Sequence, residues 1–448
     1  MSEQANSLVY QLDDVPPPAK SLLAATQHVL ASIVGIATPS LIVGGALGLG
    51  GYIPYLIAMA FFVSGIATFI QCKKIGPIGS GMLSVQGTSF AFLGAVITAG
   101  FAVKGKGGTP EDILSMIFGL CLAGSLIEIL LSQYLDKLKR IITPTVTGIV
   151  ITVIGLSLTR AGFTDFAGGA RAGDSLGEPV FLLLGFFVVT VILIMTFIGN
   201  PTLRISAIMI GLISGTVLAS FFGLVNTAPL SSASLFAMPL PFKFGLDFDF
   251  TLFLPIAFLY LVTAIETSGD LTANSVISGQ PVSGDTYLKR IKGGVLGDGV
   301  NSAIAAVFNT FPNTTFSQNN GVIQMTGVAS RHVGMWVGGL LFIMGLFPII
   351  GSAFLIIPKP VLGGATLVLF ATIAVTGIRI LASQEMSLRT IYIIAVSLGL
   401  ALGVTLVPNA TQHLPALVKQ VFSGPITVAG LTAIVLTLVI PEEKKQKT

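Results

Sequence analysis

Fourteen mostly apolar stretches dominate the chain, near 22–47, 52–72, 80–101, 110–134, 140–158, 178–199, 202–224, 248–276, 291–309, 313–329, 333–357, 360–381, 387–407 and 412–440. A hydrocarbon core about 30 Å thick is crossed by roughly 20 helical residues, and many of the stretches reach that length. Lipid satisfies no open backbone N–H or C=O, so spans made this way are helical, with irregular pieces only where protein covers them. Composition agrees: 9% of residues are charged and 53% hydrophobic, against about 25% charged in soluble domains. Mean hydropathy is +0.92. The 52 Gly and 23 Pro suit close helix packing and broken helices. The expected fold class is an all-α polytopic membrane protein.

The basic residues give an independent reading of topology. With the amino terminus in the cytoplasm, sixteen of the 23 Lys and Arg fall inside, among them Lys73/Lys74, Lys137/Lys139/Arg140, Lys289/Arg290/Lys292 and Lys444/Lys445/Lys447. That bias follows the positive-inside rule and places both termini in the cytoplasm. Because these cations sit in short clusters between spans, the net charge of +4 reports topology and no nucleic-acid partner is expected. The first twenty residues lack the basic region and cleavage site of a removable signal, so the first span is expected to stay in the mature protein. Cys72 and Cys121 lie in separate predicted helices without metal-ligand spacing, which leaves them as apolar fillers.

Internal similarity is weak but ordered. Ser84-Val85-Gln86-Gly87 resembles Phe316-Ser317-Gln318-Asn319, and Ile142–Gly148 resembles Ile357–Gly363, at offsets of 232 and 215 residues. Seven spans per half is an odd number, so the halves are oppositely oriented: a 7+7 inverted repeat. The third and tenth segments are then equivalent, each interrupted in the manner of transporter binding sites. Their extended runs, Met82–Gln86 and Thr314–Phe316, are expected to pair as short β-strands. Each would lead into a half-helix whose N-terminus points at the membrane centre.

Polar residues in this setting mark a site. Gln318-Asn319-Asn320 places three carboxamides in an apolar region, and carboxamides buried without partners cost roughly 2–7 kcal/mol each. Glu266 and Asp270 lie one turn apart on one face of the eighth span, where a charge faces water or a partner. Glu266 is the candidate for ligand contact; Asp270, nearer the cytoplasm, supports the ninth span or serves a structural pair. Asp298, in a Gly-rich stretch, is a proton carrier, a residue orienting the site or a helix-end group. His28 in the first span is a core donor or tunes the site. Ser89 and Phe90 open the third segment's half-helix, offering a backbone N–H and a ring able to stack on a flat heterocycle.

The stretch QNNGVIQMTG, in the context NTFPNTTFSQNNGVIQMTGVASR, together with QH in the first span, ETSGD in the eighth and GDG in the ninth, resembles the nucleobase-ascorbate transporter family, also called nucleobase:cation symporter-2, and its bacterial xanthine/uric acid permease branch. The resemblance spans essentially residues 20–440. It implies a core domain (21–135 and 247–358) moving against a gate domain (136–226 and 359–441), between cytoplasmic tails 1–20 and 442–448. It also implies a homodimer through the gates, location in the bacterial inner membrane and proton-coupled uptake with no cofactor beyond the proton gradient. By this resemblance Glu266 and Gln318 bind the purine, Asn319 shapes the site, Ser89 and Phe90 belong to the binding segment, and Asp270, Asp298 and His28 are tied to function. Gln318 favours purines over the uracil-type pattern. Ser89, smaller than the Asn of xanthine-selective members, leaves room for the extra oxygen of uric acid, so xanthine and uric acid both stand as substrates. Other nucleobases, or an inorganic anion on the same architecture, are the alternatives; carboxylates in the site oppose the anion. With no nucleophile constellation, P-loop or metal cluster in the sequence, no enzyme is expected.

Overall fold

The computed structural model describes residues 8–135, 143–170, 172–231, 233–415, 418–419, 422 and 424–441. Lys137/Lys139/Arg140, Lys444/Lys445/Lys447, Arg171, Ile142 and tail residues 1–7 and 442–448 lie outside the described residues. The principal elements are α1 (Pro18–Leu47), α2 (Ile53–Lys73), β1 (Gln86–Thr88), α3 (Leu93–Gly105), α4 (Pro110–Gln133), α5 (Pro144–Phe166), α6 (Pro179–Phe197), α7 (Ala207–Phe221), α8 (Phe250–Ile277), α9 (Gly284–Val307), β2 (Asn313–Thr315), α10 (Gln318–Thr326), α11 (Arg331–Gly345), α12 (Pro348–Ile356), α13 (Lys359–Ala382), α14 (Leu388–Leu406) and α15 (Pro425–Val439). Among the described residues, eight helices are long and apolar enough to cross a membrane, and the bent pair α11–α12 makes a ninth candidate. α3, α7 and α15 are shorter apolar helices.

Local sequence sets many of the helix ends. Proline stands at the first or second helical position of α1, α2, α4, α5, α6, α12, α13 and α15, where its missing N–H costs no hydrogen bond. Thr109 opens α4 with a capping box: its hydroxyl accepts from Asp112 N (3.2 Å), and Asp112 Oδ2 accepts from Thr109 N (2.8 Å). Asp249 caps α8 by accepting from Thr251 and Leu252 N–H groups at 2.8 and 3.2 Å.

Several expected boundaries move. The segment expected at 333–357 is two helices meeting at 79°, because Pro348 lacks the N–H of a continuing helix and crowds the preceding turn. The ninth segment begins at Gly284 rather than 291, so Lys289, Arg290 and Lys292 are helical. The first extended run lies further along: Gln86 pairs with Thr315, Gly87 with Thr314 and Thr88 with Asn313, antiparallel, and Met82–Val85 is not strand. The strands differ by 227 positions rather than the 232 of the residue match; that match shared residue types but not structural positions. Segment 228–250 packs back on the helices. After a helical turn at Ala228–Ser231, Phe242 N donates to Val307 O (2.7 Å), Asp247 N donates to Ser115 O (3.0 Å), and Phe244 sets its ring edge-on to Tyr52 and Tyr55. Cys72 and Cys121 are free and buried.

Helix neighbours recur with an offset of seven when β1–α3, β2–α10 and α11–α12 each count as one segment. α2 packs on α11 as α9 does on α4, α1 on α11 as α8 on α4, and α6 on α7 as α14 on α15. α5 meets α13, the partner related to it by the same offset. Glycines allow these contacts. A Cβ on Gly155 of α5 would lie 2.3 Å from Ala374 N, and one on Gly65 of α2 would lie 2.4 Å from Phe342 N.

The N-terminal residues form a strap across the end of α10. Val9 and Tyr10 N–H donate to Gly327 O (2.8 and 3.1 Å), Ala329 N donates to Tyr10 O (2.9 Å), and Arg331 N donates to Leu12 O (2.9 Å). Gly327 makes this end possible by taking φ 70° as the helix terminates. Arg331 also pairs with Asp13 at 2.8 Å.

Gly155→Ala meets backbone atoms, which cannot swing aside; overpacking of this kind costs about 1–3 kcal/mol. The variant is expected to unfold at lower temperature in detergent than the parent, whereas Gly339→Ala, with open space around it, leaves the midpoint unchanged. Equal midpoints for both variants would show that the α5–α13 contact yields without cost.

Candidate functional site

Midway along α8 an apolar helix gives way to Glu266-Thr267-Ser268-Gly269-Asp270. Glu266 and Asp270 face Ser317 and Gln318 at the start of α10 across a cavity of about 780 Å³. α5 and α13 close the other side with Thr147, Ile151, Thr372 and Thr376, and the cavity extends to Tyr287, Lys292 and Arg379. A hollow of about 40 Å³ shares Glu266, Asp270 and Gln318 and adds Phe90, Thr314 and Phe316. Among the described residues, Glu266 Oε2 is buried and has no hydrogen-bond partner. An acid and a carboxamide thus line a space with apolar and aromatic walls, the composition of a small-molecule site.

Asp298 lies behind this wall, fully buried. Its Oδ1 accepts from Gln71 Nε2 (2.8 Å), and its Oδ2 accepts from Thr315 N (3.2 Å) and from the Thr267 hydroxyl. One carboxylate therefore joins α2, α8, α9 and β2. Gln71 completes the junction: its Oε1 accepts from Ser80 N (2.9 Å), and its Nε2 also donates to Gly294 O (2.8 Å).

His28 and Asn319 form a second group on the opposite side of α10. His28 Nδ1 lies 2.7 Å from Asn319 Oδ1, so that ring nitrogen carries the donated hydrogen. Asn319 Nδ2 donates to Ser32 Oγ (2.8 Å), whose hydroxyl donates to His28 O (2.6 Å). Asn319 is buried and absent from both cavity walls; its bonds hold α10 against α1.

Two expectations are revised. Ser89 does not open the half-helix: α3 begins at Leu93, and Ser89 N–H donates to Pro312 O (2.8 Å), prolonging the strand pairing. Ser89 is buried and lines neither cavity, whereas Phe90 lines the smaller one and meets Phe370 edge-on at 5.6 Å. At the half-helix starts, some N–H groups are taken by neighbouring carbonyls. Leu93 N bonds Phe90 O (3.2 Å), Asn319 N bonds Phe316 O (3.2 Å), and Asn320 N bonds Ser317 O (3.0 Å). Asp270, read as a support of the ninth span or a structural pair, borders the cavity beside Glu266, while its carbonyl accepts from Asn320 Nδ2 (3.2 Å).

Sequence reasoning passed over Gln71 and Asn274. Asn274 Nδ2 donates to Leu83 O (2.7 Å) and to Asn320 Oδ1 (2.9 Å), tying α8 to α10 and to the approach to β1. Each is a carboxamide inside a predicted span, the same signal that singled out Gln318.

The family model described as "Permease family" (Xan_ur_permease) matches residues 19–410. The xanthine permease XanP of Escherichia coli strain K12 is 44% identical over 447 residues, covering 99% of this chain and 96% of that protein. The xanthine permease XanQ of the same strain is 41% identical over 450 residues, covering 100% and 97%. A putative purine permease of Clostridium perfringens, CPE0397, is 35% identical over 437 residues, covering 97% and 94%. Among solved structures, the transmembrane domain of the cyanobacterial bicarbonate transporter BicA superposes with TM-score 0.60 at 18% identity, covering 93% of this chain and 96% of that one. Murine Slc26a9, an anion transporter in the inward-facing state, gives TM-score 0.63 at 12% identity, covering 96% and 69%. These last two likenesses concern the fold alone. Matched by the family model over most of its length and by relatives from end to end, the chain belongs to the Xan_ur_permease family and is a membrane transporter, not an enzyme.

Proposed function

We propose that the chain is a proton-coupled importer of oxidised purines, with xanthine as the leading substrate, working by alternating access in the bacterial inner membrane. The observation that carries this reading is that Glu266 and Gln318 line one cavity while a Glu266 carboxyl oxygen lacks a partner among the described residues. A planar heterocycle with donor and acceptor edges would satisfy both side chains, with Phe90 beside its ring. The relatives named xanthine permeases support the substrate class. Room for the extra oxygen of uric acid at position 89 would require Ser89 on a cavity wall, and it lines neither; its part here is to set the backbone that carries Phe90.

Asp298 and Asp270 are the proton-linked groups of this scheme, and His28 with Asn319 holds α10 in place. Fourteen segments arranged as a 7+7 inverted repeat agree with the recurrent helix pairs. Residues 21–135 and 247–358 form the core; residues 136–226 and 359–441 form the gate and the contact of a homodimer. The cavity runs from Glu266 toward Lys292 and Arg379, both on the side read as cytoplasmic, so this conformation is inward-open. The two acids on the wall, Glu266 and Asp270, disfavour an inorganic anion.

Gln318→Ala removes one edge of the purine contact. Losing a buried hydrogen-bond partner costs about 2 kcal/mol, roughly thirtyfold in affinity, so xanthine uptake at low concentration should fall by that order. Unchanged uptake at matched protein levels would take Gln318 out of the site. For the substrate and its driving force, labelled xanthine uptake is measured with unlabelled uric acid as competitor and with a protonophore. Collapse of accumulation by the protonophore is expected; its persistence would reject proton coupling. Competition by uric acid would make uric acid a second substrate.

A further inference from the structure

Between α7 and α8 the sequence reads F-A-M-P-L-P-F-K-F-G-L-D-F-D-F over 236–250, with a large apolar residue at every even position and a small, polar or proline residue at every odd one. In an extended chain a period of two puts one kind of residue on each face. Here the stretch is irregular up to Asp249, with a turn at 241–244, and α8 starts at Phe250. Phe236, Met238, Leu240, Phe242, Leu246 and Phe248 are each between 42% and 74% exposed. An apolar row of this length on an open surface marks contact with something other than water.

The other side of this band is taken up by protein. Ala237 N donates to Leu346 O (3.1 Å) at the end of α11, Phe242 N to Val307 O (2.7 Å) at the end of α9, and Asp247 N to Ser115 O (3.0 Å) on α4. Asn309 ties the turn, donating from Nδ2 to Leu240 O (2.7 Å) and accepting from Phe244 N (3.4 Å). Phe244 turns inward against Tyr52, Tyr55 and Phe118, and the Lys243 ammonium lies 3.9 Å from the centre of the Tyr55 ring.

Two observations identify what covers the row. First, the band lies beside a span and not only on its tip. A Cβ on Gly119 of α4 would collide with the Asp247 carbonyl oxygen, and Gly119 is about 14 Å along the helix from Pro110. Gly119, Leu126 and Leu130 share one helix face, at spacings of seven and eleven, and both leucines are more than half exposed. The band therefore continues the apolar stripe that α4 turns to lipid. Second, its ends are fixed to α4 and α11, neither of which lines either cavity, so the row is on the flank away from the site. Irregular backbone is stable at headgroup depth, where water reaches it, and not in the hydrocarbon centre. Pro239 and Pro241 bring no N–H to be left open there, and Tyr52 and Tyr55 beneath the turn suit an interfacial belt.

We propose that residues 236–250 form a lipid-binding band: the apolar row inserts among acyl chains just below the headgroups and holds the adjoining ends of α2, α4, α9 and α11 at that depth. The partner is the bilayer surface itself. The inference depends neither on the substrate nor on proton coupling, and it holds whichever side of the membrane this end faces.

The test places a polarity-sensitive NBD label on Met238→Cys or Leu246→Cys in the full chain, reconstituted in vesicles of phosphatidylcholine and phosphatidylglycerol. Cys72 and Cys121 are buried, and wild-type protein taken through the same labelling sets the background. Asp174→Cys, exposed in the loop after α5, is the water-facing reference. Both band labels should emit at shorter wavelength than the label at 174 and be quenched several-fold less by aqueous iodide. Lipids with a nitroxide near the headgroup should quench them more than lipids with the nitroxide at the chain end. Iodide quenching at either band position equal to that at 174 would overturn the proposal. So would protection from iodide and from both lipid quenchers, which would put a second copy or another protein over the row, and so would strongest quenching from the chain end. If either variant does not assemble, Phe248→Cys takes its place with the same readouts.

Discussion

The structure depends on how it satisfies extended backbone inside a region of lipid-length helices. Gln86–Thr88 and Asn313–Thr315 use each other, and two further bonds, Phe316 N to Val85 O and Ser89 N to Pro312 O, prolong the pairing. The ladder ends beside Asp298, which accepts from Thr315 N and so extends satisfaction of the backbone into the side chains. From there Gln71 and Thr267 bring in α2 and α8. The positions of Glu266 and Gln318 across the cavity follow from this junction, because α8 and α10 are both attached to it. A polar site in an apolar protein is held here by backbone groups that had no alternative but to pair.

Around that junction the helices pack through small residues rather than through polar contacts. Gly65 with Gly338, and Gly148 with Gly377, bring backbones closer than any side chain would allow. In lipid, where apolar burial gives little advantage to helix association, close van der Waals contact of this kind supplies much of the attraction. The cavity lies where such contact stops, between α8 and α10 on one side and α5 and α13 on the other.

Much of this was legible in the chain. Glu266 and Gln318 stood out as polar groups that lipid would reject, and both line the cavity. Asp298 was legible as buried and important, but its four-element junction was not, since Gln71, Thr267 and Thr315 are brought to it by long-range packing. The N–H of Ser89 reads as a helix start in the sequence, but the pairing runs one residue beyond β1 and takes it for Pro312 O. The bend at Pro348 was passed over because hydropathy continued across it. The start of α9 was missed for the opposite reason: Lys289, Arg290 and Lys292 interrupt hydropathy without interrupting the helix. Apolar runs report what faces lipid, and helix ends obey capping and proline chemistry.

The strap at the amino terminus imposes an order on assembly. Asp14 O accepts from the Ser330 hydroxyl across 316 positions of sequence, and Gln86 Nε2 donates to Thr315 Oγ1 across 229. During synthesis, the first residues and the first strand therefore emerge long before the groups that complete them. Until residues 313–331 have been made, the earlier half of the chain holds unpaired backbone that must be screened by water, by neighbouring helices or by the insertion machinery. One short stretch then closes the strand pair, seats α10 and anchors the strap, so the surroundings of Glu266 and Gln318 cannot be completed before it has emerged.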